Sequence, residues 1–260
     1  MNRLLIGTKI ALSIILLFVS GAQLYAQDDM TADEILHTIT KTMNPAQSQG
    51  TFIMTIVTSS GQDRTFVYET FSKNHGEKSL MKYVKPSRVR GQAILMLNDA
   101  DDIWIYFPRT KRIRKLASHA KKQKLEGSDF SYEDLGASDT FIDDYNAVLL
   151  KDEKKQRKLC YKLELTRKPN SSVGYSKIIM WVEKETFVPL VIDYYHDDDP
   201  DLHEKQLVCS DIKLIDGIYT PMKIVMYNKL DNTHTKMEIE EVTYNVDLPD
   251  DLFTEMGMQQ

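Results

Sequence analysis

Hydrophobic residues change their spacing twice along this 260-residue chain, and each change marks a different kind of element. An apolar core at 10–19 follows Arg3 and Lys9. From Ile35 the spacing is helical, with Ile35, Leu36, Ile39 and Met43 on one stripe. Thr31 and Glu34 stand before it at capping-box spacing, and Pro45 follows it. A helix of about three turns over 31–43 is predicted. After that the period falls to two. "TFIMTIVTS" and "RTFVYETFS" flank a Ser60-Gly61 turn, and nine further runs follow, from "EKSLMKYV" to "HTKMEIEEVTYN". Asp216-Gly217 sits between two of them as a hairpin signal. Runs of this length, rich in Val, Ile, Thr and Tyr, predict a consecutive antiparallel sheet of about eleven strands.

Several runs are apolar on both faces. In "TFIMTIV", Phe52, Met54 and Ile56 lie on one side, and Ile53 and Val57 on the other. A sheet with one wet face would alternate more cleanly. The pattern fits a mainly β fold whose sheet curves toward a partial barrel able to hold a ligand. Residues 117–143 have no alternation and are long for a connection in a compact fold. Phe130, Tyr132, Leu135 and Phe141 give that stretch a means of packing, so an ordered flap is expected.

The positive start, apolar core and Ala26 before a polar stretch read as a signal peptide over 1–26, with a single domain over 27–260. A retained span is the weaker reading, because the apolar run falls short of the ~20 residues a span needs. Removing Arg3 and Lys9 moves the formal net charge from −5 to about −7. Nucleic acid is therefore not an expected partner. The two cysteines, Cys160 and Cys209, fall in strand-like runs on faces shared with polar residues. An exported chain permits a bridge between them. Two separate thiols are the alternative.

Catalytic motifs are missing: the chain contains no HExxH, GxSxG, Walker loop, GxGxxG or CxxC. "HDDDPDLHE" at 196–204 and "NDADD" at 98–102 lack calcium-loop spacing and read as turns, so no metal and no cofactor are expected. "GSDFSYEDL" at 127–135 carries serines and carboxylates, but Ser131 and Asp134 match a helix cap, so no catalytic residue is assigned. Eight Lys or Arg fall between Arg109 and Lys124 in a chain that is acidic overall. Arg109, Lys111, Arg112, Arg114, Lys115, Lys121 and Lys122 form either a solvated strand edge or a docking patch for an anionic membrane or partner. Aromatic and Met residues at alternate positions are core or the lining of a concave face. Phe52, Met54, Ile56, Phe66, Tyr68, Met96, Trp104, Tyr106, Phe130 and Tyr132 are the expected lining.

"DDIWIYFPRTKRIRKL" followed by "GSDFSYEDL" resembles the signature of the LolA-like outer-membrane lipoprotein-sorting family: a W-x-Y-x-P strand, a basic run and a G-S-D-F-[ST]-Y-[ED]-D element. The match is specific over 102–135 and looser over the rest. The resemblance implies a periplasmic protein with an incomplete antiparallel barrel wrapped on a helical plug. Its apolar cavity would receive acyl chains of a lipoprotein or lipid, with an inner-membrane lipid exporter and an outer-membrane acceptor as partners. The chain is longer than the lipoprotein carrier proper, and no lid-latching arginine is carried over. Two rival readings are a non-carrying accessory subunit of an envelope exporter and a hydrolase using Ser128 or Ser131.

Overall fold

The computed structural model describes residues 30–136 and 140–260. The leader expected over 1–26 lies outside them. Helix α1 (Ala32–Met43) starts as the sequence indicates. Glu34 N–H donates to Thr31 Oγ1 at 3.2 Å, and Thr31 N–H donates to the Glu34 carboxylate at 2.7 Å. Its apolar stripe, Ile35, Leu36 and Ile39, is buried, each side chain contributing about 1.5–3 kcal/mol.

Among the described residues, one sheet of thirteen antiparallel strands takes up most of the rest. Its first run comprises β1 (Gln47–Val57), β2 (Asp63–Lys73), β3 (Lys78–Lys85), β4 (Ala93–Leu97), β5 (Asp102–Phe107) and β6 (Arg112–Lys115). Its second comprises β7 (Tyr145–Lys155), β8 (Lys158–Arg167), β9 (Lys177–Glu183), β10 (Pro189–Tyr195), β11 (His203–Ile215), β12 (Ile218–Asn228) and β13 (Thr233–Tyr244). Each run is a meander of neighbouring strands, and β1 pairs with β13 to join them. Strands β6 and β7 form the two edges, so the sheet curls without closing into a barrel.

The two strands beyond the expected eleven are β6 and β7. Three cations in the four residues of β6 hide its alternation. A bulge between Leu150 and Glu153 breaks the period of β7. Asp216 and Gly217 both have positive φ, 49° and 84°, as a tight two-residue hairpin requires.

Alternate residues of β3, β4 and β5 divide between two apolar clusters. Met81, Tyr83, Ile94, Met96, Ile103 and Ile105 face inward to α1. Leu80, Ala93, Leu95 and Tyr106 face outward, covered by Leu248, Phe253 and Met258 of the C-terminal segment. That cover explains why these strands are apolar on both faces. Between the meanders, the segment leading through α2 (Tyr132–Gly136) and α3 (Thr140–Asp143) crosses the inner face with α1. This is the flap expected over 117–143, with residues 137–139 outside the described part.

Candidate functional site: a cavity under the first helix

A cavity of about 420 Å³ lies between α1 and the inner face of the sheet. Ile39 and Met43 of α1, with Leu135 and Phe141 of the flap, form its roof. Phe52, Met81, Met96 and Met237 rise from the strands. Asn44, Pro45, Gly76 and Tyr244 place its rim where β1 begins, β2 turns into β3 and β13 ends. Three serines, Ser48, Ser72 and Ser79, line that same end. At ~30 Å³ per non-hydrogen atom, the volume holds roughly fourteen such atoms.

Of the ten residues expected to line a cavity, Phe52 and Met96 do so. Met54, Ile56, Phe66 and Tyr68 share the inner face but lie farther along it, fully packed. The Tyr68 ring meets that of Tyr83 edge-on at 4.7 Å, and Phe66 meets Tyr83 at 5.9 Å. Burial raises the phenol pKa values of both tyrosines. Phe130 and Tyr132 seal this packed half from the flap side. Trp104 and Tyr106 are placed on the opposite face of the sheet, which corrects their assignment to the lining. Strand β5 is apolar on both sides, so no polar face marks its parity. Ile103 and Ile105 are its inward residues. The roof residues Ile39 and Met43 were visible in the α1 stripe, and Leu135 and Phe141 in the flap. Met81 and Met237 carried no signal separating them from ordinary core.

The "GSDFSYEDL" carboxylates pin the flap. Asp129 accepts hydrogen bonds from Thr233 Oγ1 at 2.5 Å and Thr235 Oγ1 at 2.7 Å. The Asp134 carboxylate accepts from Tyr175 at 2.9 Å, and the Lys205 ammonium lies 3.5 Å from its other oxygen. Lys205 also donates to Tyr175 Oη at 2.8 Å. Glu133 accepts from Gly174 N–H at 3.0 Å, and burial raises its pKa above the usual carboxylate range. Ser131 and Asp134 form the reciprocal cap of α2. Ser128 Oγ donates to the Phe130 carbonyl of its own turn at 3.1 Å. The three carboxylates thus face partners on the body of the protein, and the two serines bond within the flap.

The basic residues fall into two sets. Lys121 and Lys122 are ion-paired at 3.0 and 2.9 Å to Asp101 and Asp197, so they tie the flap down. Lys115 is paired with Asp102 at 2.5 Å and sits 4.8 Å above the Trp104 ring. Arg109, Lys111, Arg112 and Arg114 are exposed around the β5–β6 turn, beside exposed Phe107. A Cβ on Gly91 would lie 3.7 Å from Pro108, so the β3–β4 turn, with Arg88 and Arg90, adjoins this cluster. The antiparallel order puts both turns at the end of the sheet opposite the serines. Along β3 that separation is roughly 23 Å, at ~3.3 Å per residue.

Cys160 and Cys209 are free and buried, with no bridge between them. Burial pushes the Cys209 thiol up to about 12. Asp197 of the "HDDDPDLHE" loop takes Arg167 as well as Lys122.

Solved structures share this fold. The chain superposes on a LolA superfamily protein from Nitrosomonas europaea with a TM-score of 0.72 and 26% identity, covering 86% of this chain and 98% of that one. A family model described as an uncharacterized protein matches residues 75–260. The chain belongs to the LolA-like family. A DUF1329 family protein from Desulfovibrio piger resembles this LolA-like chain at 27% identity, a TM-score of 0.78, and coverage of 88% and 98%. A putative outer membrane lipoprotein-sorting protein domain from Vibrio parahaemolyticus shares the LolA-like fold at a TM-score of 0.78 and 24% identity, with the same coverage. No curated protein sequence matches the chain.

Proposed function

We propose that this LolA-like chain is a periplasmic carrier. It takes an acyl chain of a lipid or lipoprotein into the cavity under α1 and shuttles it toward the outer membrane. Loading occurs at an inner-membrane lipid exporter and unloading at an outer-membrane acceptor. The observation that carries this reading is an apolar cavity roofed by α1 and the flap, two segments outside the sheet. Burial of a chain contributes ~0.8 kcal/mol per CH₂, on the order of 10 kcal/mol for twelve or so before ordering costs. Affinity then needs no charged anchor. The exposed cations at the far end of the sheet dock on an anionic surface during transfer. The protein binds and releases without a covalent step.

The test is detergent-free purification of the exported protein, native mass spectrometry and lipid extraction. The expected result is stoichiometric lipid, lost in Leu135→Trp, whose indole fills the roof. A wild-type protein that is empty and refuses added single-chain and two-chain lipids would favour the accessory-subunit reading.

A further inference from the structure

We propose that the cavity selects a single-chain amphiphile with an uncharged, hydrogen-bonding head group. It is held tail first, with its head on a row of serine hydroxyls at the rim. This inference rests on the carrier reading and narrows it to a class of cargo.

The strand register builds the row. Ser48 pairs with Tyr244 of β13 on one side and with Ser72 of β2 on the other. Ser72 in turn pairs with Ser79 of β3. Directly paired residues project to the same face, so three serines line up across three strands on the cavity wall. Ser79 Oγ is buried with no hydrogen-bond partner. A buried hydroxyl left unpaired is unfavourable, and a ligand oxygen or N–H placed there relieves it. Tyr244 completes the row, but its hydroxyl is already shared with Thr220 at 2.7 Å.

Two residues along the strands the wall changes character. Gly50, Thr70 and Met81 form the next row, and the Thr70 hydroxyl turns to the Gly50 carbonyl at 3.4 Å. Phe52 follows. The cavity therefore grades from hydroxyls at its rim to methionine, leucine and phenylalanine inside, which is the polarity of an amphiphile entered by its tail.

Charge and volume restrict the head and the number of chains. Among the described residues, the lining includes no lysine, arginine or histidine. The carboxylate among those described residues, Asp134, is held by Tyr175 and Lys205. A carboxylate or phosphate at the serine row would lose water and gain no cation. Room for roughly fourteen non-hydrogen atoms suits one chain.

Three ligands with the same decanoyl tail, short enough for the cavity, separate the possibilities. 1-Monodecanoylglycerol, decanoate and didecanoylphosphatidylglycerol are titrated at pH 8 against delipidated protein. We expect 1-monodecanoylglycerol to bind one to one, roughly tenfold tighter than decanoate. The Ser72→Ala/Ser79→Ala double variant should lose about five- to tenfold for the glyceride and keep its decanoate affinity. Its melting temperature should not fall, since the Ser79 hydroxyl has no partner to lose. Decanoate or the diacyl lipid binding as tightly as the glyceride would overturn the head-group inference and leave the carrier reading standing. So would a double variant that retains its glyceride affinity. A folded protein that binds none of the three would remove the carrier reading itself.

Discussion

The inner face of the sheet has two halves with different chemistry. Toward the basic turns it is solid, with Phe66, Tyr68, Tyr83 and Phe130 packed together. The flap above them is fixed by directional bonds from Asp129, Glu133 and Asp134. Toward the serine rim it is hollow, and the roof touches it through Ile39, Met43, Leu135 and Phe141. Apolar contacts have no preferred direction, so an acyl chain can replace them with little loss. A buried carboxylate cannot give up its partners so cheaply. On the proposed carrier reading, a chain would enter at the rim, with the hinge at the pinned end.

The contrast breaks most severely at Lys205. Lys205→Met leaves the buried Asp134 carboxylate without its cation, and a loss of about 3–5 kcal/mol is expected. Chemical denaturation measures it, and adding Asp134→Leu should recover part. A loss below about 1 kcal/mol would mean that the pinned end is held by packing alone.

Glu133 offers a smaller and pH-dependent effect. Burial raises its pKa, so the folded state favours the protonated carboxyl. That contribution is complete below the usual glutamic acid range and is lost as pH rises through the raised value. Glu133→Gln keeps an acceptor for Gly174 N–H and never ionises. Its unfolding free energy, by chemical denaturation, should exceed that of the wild type by a margin that grows from pH 4 to pH 8, within about 1 kcal/mol. A margin that is flat or shrinks with pH would contradict this.

Charge reversal at Arg109, Arg112 and Arg114 should do least to the fold, under about 0.5 kcal/mol. The same variant should impair association with anionic vesicles while lipid affinity stays constant. Equal loss of both would place these cations in the binding site, against the separation along β3.

Much of this architecture could be read from residue spacing. The α1 stripe and its Thr31–Glu34 cap specify the helix almost to the residue. Period-two runs disclosed eleven strands, and "GSDFSYEDL" was legible as a cap. Parity was not legible in β5, because Leu248 and Phe253 lie more than a hundred residues away and make its outer face apolar too. The serine row was hidden for a related reason. Ser48, Ser72 and Ser79 become neighbours only through the register of three strands, and a hydroxyl in an alternating run looks like the wet face.

The topology also ranks the contacts of the sheet by the length of chain they close. Every adjacent pair in the sheet is consecutive along the chain except β1 with β13, which joins residues 47–57 to 234–244. Each meander consists of local hairpins that close short loops, whereas the seam joins segments far apart in the chain, and closing the longest loop costs the most entropy. The cavity straddles that seam, with Phe52 on one bank and Met237 on the other. Neither meander alone encloses the pocket, so a fragment carrying only one half-sheet lacks it.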